Sequence, residues 1–330
     1  MTLVFMFPGQ SSRYPGMVEK LVGLGCENRR QLEEASDLLE WDLGRQFRSD
    51  NPDVFARNVD VQVGVFLANH MFLRTLHAAG VDAEVSLGLS LGEYNHLVHI
   101  GALTFSDALL AVRARGEAYD AGPRGVMASV QPITFDELEP VVARARAEGI
   151  VEITNLNSPT QQVLSGEQSG IREALRILDD EFYVQSTVIE KRVPMHSSLF
   201  RNVGRAFRAY LATLPFASPR RPYLPNRLGR MLTSPDRDEF IELLSSHVYS
   251  RVHWRRSIET VVQHWADATF VEVGPLSVLH NLMSRKWVRN RRFRTDSSDA
   301  LARHIDGVVS RLELLRNQPS SAREVGCSAT

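Results

Sequence analysis

Leu3–Phe7 is an unbroken apolar run stopped by Pro8-Gly9, the pattern of a short buried strand running into a turn. From about 15 to 80 the apolar positions take helical spacing. In VQVGVFLANHMFLRTLHAAG, residues 61–80, they run almost all the way round, which predicts a buried helix rather than a surface one. AEVSLGL (83–89) returns to a strand pattern that ends at Ser90. GEYNHLVHIGAL and FSDALLAVRARGEAYDA then read as two helices.

From about 125 the rhythm changes. GVMASV reads as a strand. TFDELEPVVARARAEG reads as a helix opened by Thr134, with Glu137 three residues on as its capping-box partner, and closed by Gly149. VEITNLN and QQVLSGE are strands joined by SPT, SGIREALRILDD is the next helix, and VQSTVIEKR the last strand. The order βαββαβ is the ferredoxin-like split motif. It predicts a small subdomain at 126–192, inserted into a larger α/β unit made of 1–125 and 193–297. Within the second part, helices, a strand at RPYLPN and a strand at ATFVEVGP are expected. A helix over 298–316 follows, and a tail, 317–330, lacks the apolar content to pack and is expected to be disordered. The chain shows no internal repeats.

Composition changes this picture little. The chain has 330 residues, 43% hydrophobic and 23% charged, with a formal net charge of -1, so its overall balance points to neither nucleic acid nor a membrane surface. Two cysteines, Cys26 and Cys327, cannot build a disulfide framework, which favours a reducing compartment. MTLVFMFPGQ has no basic leader and no small-residue cleavage site, and no later run reaches the ~18 apolar residues of a membrane helix. A cytoplasmic protein is expected.

The chemistry centres on Gly88-Leu89-Ser90-Leu91-Gly92, with Glu93 next. A serine on a sharp turn between strand and helix is the context of a nucleophile elbow, where small flanking residues permit the tight backbone and the following helix faces the reacting carbonyl. The frame also fits an ordinary turn. A serine nucleophile needs a base and donors for the developing oxyanion, and for neutral-pH work the base is a histidine. His70 and His77 lie on the buried helix and read as packing or surface residues. His196, in RVPMHSSLF, follows the last strand of the insertion, where the chain re-enters the larger unit; such junctions form clefts. Metal-ligand clusters and dinucleotide fingerprints are absent from the sequence.

FPGQSS, GLSLGEY, RARG, NLNSPTQQVLSG, VPMHSSL and VEVGP follow one another over about residues 3–285. On these motifs the chain resembles the malonyl-CoA:acyl carrier protein transacylase family, which includes the acyltransferase domains of polyketide synthases. The resemblance implies an α/β-hydrolase-like core with an inserted ferredoxin-like subdomain, in agreement with the layout above. It implies that Ser90 takes an acyl group from coenzyme A as an ester and passes it to the phosphopantetheine thiol of an acyl carrier protein, with His196 as base. The histidine's orienter would be a backbone carbonyl near His247, and the oxyanion hole the N–H groups of Gln10 and Leu91. Arg115 matches the arginine that holds the malonyl carboxylate, for which a planar guanidinium is suited because it pairs both oxygens. Neighbouring Arg113 is expected to face water. No metal or redox cofactor is implied, and a monomer is expected, serving fatty-acid or polyketide biosynthesis.

The sequence departs from the family pattern at several positions. Leu89 stands where a histidine is common, Ser11 and Arg13 alter the loop at the oxyanion hole, and Tyr119 stands near a usual methionine. Met195, before the histidine, occupies a position tied to acyl choice; with Tyr119 it is a candidate substrate contact, and its flexible thioether leaves that choice open. A basic run, SRKWVRNRRFR, carries Arg285, Lys286, Arg289, Arg291, Arg292 and Arg294. It reads either as a solvated face or as a docking surface for an acidic carrier protein or coenzyme A phosphates; nucleic acid is disfavoured for want of a recognition motif. Asn155, Asn157 and Ser158 either hold strand ends or line the cleft, and Trp254 is a core candidate. Alternatives to malonyl transfer are a transferase of larger acyl groups between two carriers, a proofreading hydrolase and a catalytically dead docking scaffold. A buried Arg115 speaks against a neutral acyl chain.

Overall fold

All five residues of β1 (Leu3–Phe7) are buried, so this strand has protein on both faces, as parallel sheets require. Its side chains alternate between two cores. Leu3, Phe5 and Phe7 pack with the long helix that the sequence predicted to be buried, while Val4 and Met6 pack with Leu87, Trp254 and Ile258. Trp254 is therefore a core residue.

The computed structural model describes residues 1–297 and 300–317. After β1 come α1 (Met17–Val22), α2 (Cys26–Leu39), α3 (Leu43–Gln46), α4 (Asn58–Ala78), β2 (Val85–Gly88), α5 (Gly92–His99) and α6 (Phe105–Asp120). The next block is β3 (Val126–Gln131), α7 (Phe135–Ala145), β4 (Val151–Leu156), β5 (Gln162–Gly166), α8 (Gln168–Ile177) and β6 (Gln185–Glu190). α9 (Arg201–Leu211), α10 (Arg237–His247), α11 (Trp254–His264), β7 (Thr269–Glu272), α12 (Val278–Leu282), β8 (Arg292–Arg294) and α13 (Leu301–Arg316) follow. The first sheet has the order β2-β1-β7-β8 and is parallel throughout. The second, β4-β5-β3-β6, is antiparallel and shares its own apolar core with α7 and α8. No described helix is long and apolar enough to cross a membrane.

The βαββαβ order over 126–190 is as the periodicity predicts, and Thr134 and Glu137 form the capping box on α7. One expectation fails. RPYLPN is not a strand: it contributes only an isolated bridge, Tyr223 to Leu232, because Pro222 and Pro225 bring no N–H to a ladder. Within the basic run, Arg292–Arg294 forms an edge strand beside β7. The expected tail, 317–330, and Cys327 lie outside the described residues apart from Asn317.

Two features set the positions of the site. Asp120, at the end of α6, accepts hydrogen bonds from the N–H groups of Asn58 and Val59 (2.8 and 2.9 Å), which fixes the register of α6 against α4. The β4 edge is tied to the chain beyond α10: Val252 donates to the Thr154 carbonyl, Leu156 N–H to the Val252 carbonyl, and Arg251 Nε to the Ile153 carbonyl.

Gly116 lets α6 approach α4, because a Cβ there would come within 2.5 Å of Val59 Cα. Gly116→Ala is expected to lower stability by about 1–3 kcal/mol through this overlap, against alanine's better helix propensity. Urea unfolding of the variant measures it; a gain in stability would show that the helices part freely.

Candidate active site

Ser90 sits between the end of β2 and the start of α5 with φ 52°, a left-handed conformation that a non-glycine residue holds only under constraint. The constraint is backbone crowding. A Cβ on Gly88 would collide with the Gly92 carbonyl, and one on Gly92 with the Phe7 carbonyl. A Cβ on Gly9 would lie 2.8 Å from the Leu89 carbonyl oxygen and 3.7 Å from Ser90 Cβ, so the turn after β1 is pressed onto the elbow. Among the described residues the backbone N–H groups of Gln10 and Leu91 have no acceptor. Both belong to segments flanking Ser90, and they are free to receive an oxyanion.

Asn226 locks the elbow: its Oδ1 accepts from Ser90 N–H (2.8 Å) and its Nδ2 donates to the Gly88 carbonyl (2.5 Å). Asn226 belongs to the segment misread as a strand.

His196 also has positive φ, 64°, and its N–H is held by the Val248 carbonyl at 3.0 Å. Its Nδ1 lies 2.8 Å from the His247 carbonyl and its Nε2 2.8 Å from Ser90 Oγ. A carbonyl can only accept, so Nδ1 carries the proton and Nε2 is the bare nitrogen that accepts from the serine hydroxyl. This is the base-competent tautomer. Burial, reinforced by Arg115 and opposed by the His247 carbonyl, pushes the His196 pKa down to about 3. The His247 ring stacks on His196 at 4.7 Å, and its Nδ1 lies 3.2 Å from Glu93 Oε2. Burial also holds the His247 pKa well below the ordinary value. Glu93, fully buried, accepts from the Tyr223 hydroxyl at 2.5 Å; burial raises its pKa to about 7 against the pull of this bond and of Asn226.

Arg115 on α6 is 1% exposed. Its Nη1 donates to Gln62 Oε1 on α4 (2.7 Å), its Nη2 lies 3.3 Å from Ser90 Oγ, and its guanidinium stands over the Tyr119 ring at 4.5 Å. Among the described residues no carboxylate lies within ion-pair distance of it. Arg113 instead pairs with Glu117 at 2.9 Å, partly exposed.

The cleft beside Ser90 encloses about 80 Å³ and is lined by Gln10, Arg13, Leu89, Asn155, Met195 and His196, among others. Arg13 donates to the Gln10 carbonyl (3.0 Å), and so shapes the turn after β1. A wider cavity of about 420 Å³ continues past Leu89, Asn157 and Ile189 to Asn281 and Ser284. The basic run starts at that rim. Arg285, Arg289 and Arg291 are exposed and Arg292 half-buried, and none has a carboxylate partner among the described residues.

The structure thus brings Ser90, His196, Arg115 and the His247 carbonyl together, with Gln10 lining the same cleft and Leu91 next to Ser90 in the chain. Met195 lines the cleft, and Tyr119 lies behind Arg115. Gln62, Asn226 and the Glu93–His247 contact were missed. Only Glu93, next to the elbow glycine, carried any local signal.

One other group among the described residues has donors spaced for a metal: His77, Asp82 and His99. Their protons are already committed. Leu224 N–H donates to His96 Nε2 (3.0 Å), which places the His96 proton on Nδ1, toward Ser86 Oγ (2.7 Å). The Ser86 hydroxyl then donates to His99 Nδ1 (2.8 Å), and His99 Nε2–H to Asp82 (2.9 Å), whose other oxygen is held by Arg221. The cluster ties β2 to α5.

In Glu93→Gln, which removes the buried carboxyl beside His247 whose pKa is raised to about 7, the rate of Ser90 acylation is expected to stay flat from about pH 8 down through about 6.5, where an exposed histidine protonates. A pH–rate profile with an acid limb centred near the ordinary histidine value contradicts a buried neutral base.

The family described as acyl transferase domain matches residues 4–301. The malonyl CoA-acyl carrier protein transacylase of Bacillus subtilis strain 168 is 29% identical over 298 residues, covering 89% of this chain and 92% of that protein. The polyketide biosynthesis protein ThaF of Burkholderia thailandensis is 30% identical over 309 residues, 93% of this chain but 26% of that longer protein. The solved malonyl CoA-acyl carrier protein transacylase of Clostridium perfringens superposes with a TM-score of 0.86 at 25% identity, over 96% of this chain and 100% of that one. A malonyl-transacylase solved in complex with its type II polyketide acyl-carrier protein shares the fold at 22% identity, with a TM-score of 0.84 over 93% of this chain and 100% of that one. With its mixed α/β fold and an elbow serine beside a buried arginine, the chain belongs to the acyl transferase domain family.

Proposed function

We propose that this protein transfers a malonyl-type acyl group from coenzyme A to the phosphopantetheine thiol of an acyl carrier protein, through an ester on Ser90. The observation that carries the reading is Arg115: a buried cation with no carboxylate partner among the described residues, 3.3 Å from the serine oxygen. Leaving such a charge unpaired is costly, and an acyl group that ends in a carboxylate supplies the missing partner. A neutral acyl chain supplies none, which disfavours transfer of larger neutral groups.

Ser90 gives its proton to His196 Nε2 as Oγ attacks the thioester carbonyl. The N–H groups of Gln10 and Leu91 receive the oxyanion, and collapse expels the coenzyme A thiolate, which takes the proton from His196. In the second half the carrier thiol gives its proton to His196 and attacks the ester; collapse expels Ser90 Oγ, which takes that proton back from His196. Every step is a proton or acyl transfer, so metal and redox cofactors have no part in it.

The finer architecture goes with this reading. The parallel sheet and elbow form an α/β-hydrolase-like large unit, 1–125 with 193–297, and 126–192 a ferredoxin-like insertion whose β4 edge supports the His247 segment. Arg285, Arg289, Arg291 and Arg292, in the basic run that follows Ser284 at the rim of the wider cavity, suit an acidic carrier. The enzyme acts as a cytoplasmic monomer.

Intact mass spectrometry tests the proposal. Mixing with malonyl-CoA is expected to add one malonyl group, absent in Ser90→Ala and formed roughly 100- to 10,000-fold more slowly in His196→Ala. Adding holo carrier protein then moves the group onto the carrier. An unmodified wild-type protein, or an adduct that persists in Ser90→Ala, contradicts the reading.

A further inference from the structure

Tyr119 Oη is the anomaly of this site. Tyr119 is 1% exposed, and its hydroxyl has no hydrogen-bond partner among the described residues. Buried hydroxyls are nearly always paired, so an orphan calls for an explanation. The ring is well fixed, packed edge-on against Phe200 at 5.0 Å with the Arg115 guanidinium 4.5 Å above it. Burial pushes the phenol's pKa up, with Arg115 opposing, so the group stays a protonated donor at working pH.

The environment thus offers two kinds of proton donor, a guanidinium and a phenol, side by side and without a matching acceptor. Arg115 Nη1 is taken by Gln62, while Nη2 has only Ser90 Oγ, at 3.3 Å. A ligand that suits both is acceptor-only and anionic, with two oxygens. We propose that the Tyr119 hydroxyl donates a second hydrogen bond to the acyl carboxylate paired with Arg115, making Tyr119 a specificity-determining residue for carboxylated acyl groups. This rests on the malonyl-transfer reading and deepens it. The free enzyme holds the hydroxyl unpaired, and the substrate supplies its partner. An acetyl group, which lacks the carboxylate, leaves it as it was.

Tyr119→Phe removes one oxygen and keeps the ring beneath Arg115. Single-turnover acylation of Ser90 by malonyl-CoA and by acetyl-CoA, with a thermal melt of each protein, tests the proposal. The expected result is a fall of about 10- to 100-fold in the malonyl-CoA rate, the size of a hydrogen bond to a charged group. The acetyl-CoA rate is expected to be unchanged, and Tm unchanged or higher, because an unsatisfied buried hydroxyl has gone. Equal malonyl rates in variant and wild type overturn the proposal. So does a parallel loss of both rates with a lowered Tm, which marks a packing role. If the wild type itself takes no malonyl group, the transferase reading falls first and the proposal with it.

Discussion

Three backbone segments meet at Ser90 more closely than side chains would allow, and the rest of the site depends on that contact. Gly9, Gly88 and Gly92 each stand where a Cβ would strike a neighbouring carbonyl, those of Leu89, Gly92 and Phe7. Held between them, Ser90 adopts a left-handed backbone conformation that costs roughly 1–3 kcal/mol. Asn226 fastens it by accepting from the Ser90 N–H and donating to the Gly88 carbonyl. The same crowding sets the turn after β1, which leads into Gln10, against the elbow.

The histidine reaches this elbow from a different part of the fold. His196 begins where the chain leaves the antiparallel sheet, and its two anchors, the Val248 and His247 carbonyls, lie at the end of α10. That segment is in turn bonded to the β4 edge through Val252 and Arg251. The second sheet therefore supports the segment that orients His196 and also supplies one wall of the cleft, through Asn155, Asn157 and Ile189. His196 needs no carboxylate beside its Nδ1, since the His247 carbonyl fixes its tautomer.

What the sequence revealed was local. The apolar run before Pro8-Gly9, the strand–turn–helix around Ser90 and the βαββαβ rhythm are patterns over neighbouring residues, and periodicity reports such patterns directly. The misreading has a local cause too. RPYLPN has strand-like residues, but its prolines cannot enter a ladder. The polar partners were hidden for another reason. Asn226 reaches Ser90 across 136 residues, Arg115 reaches Gln62 across 53, and Tyr223 reaches Glu93 across 130. Such pairs are chosen by tertiary packing, and one sequence carries no periodic trace of them. Ser90, His196 and Arg115 were legible through ordered motifs, whereas the residues that hold them in place were not.

In this mechanism the unpaired charge of Arg115 selects the substrate. The direct measurement is the ratio of Ser90 acylation rates with malonyl-CoA and acetyl-CoA, in wild type and in Arg115→Ala. A strong preference for malonyl-CoA in the wild type, lost or inverted in the variant because the carboxylate has then no partner, is the predicted result. A ratio that is the same in both proteins contradicts the account, for it would mean that the buried guanidinium beside Ser90 serves the fold and does not read the acyl group.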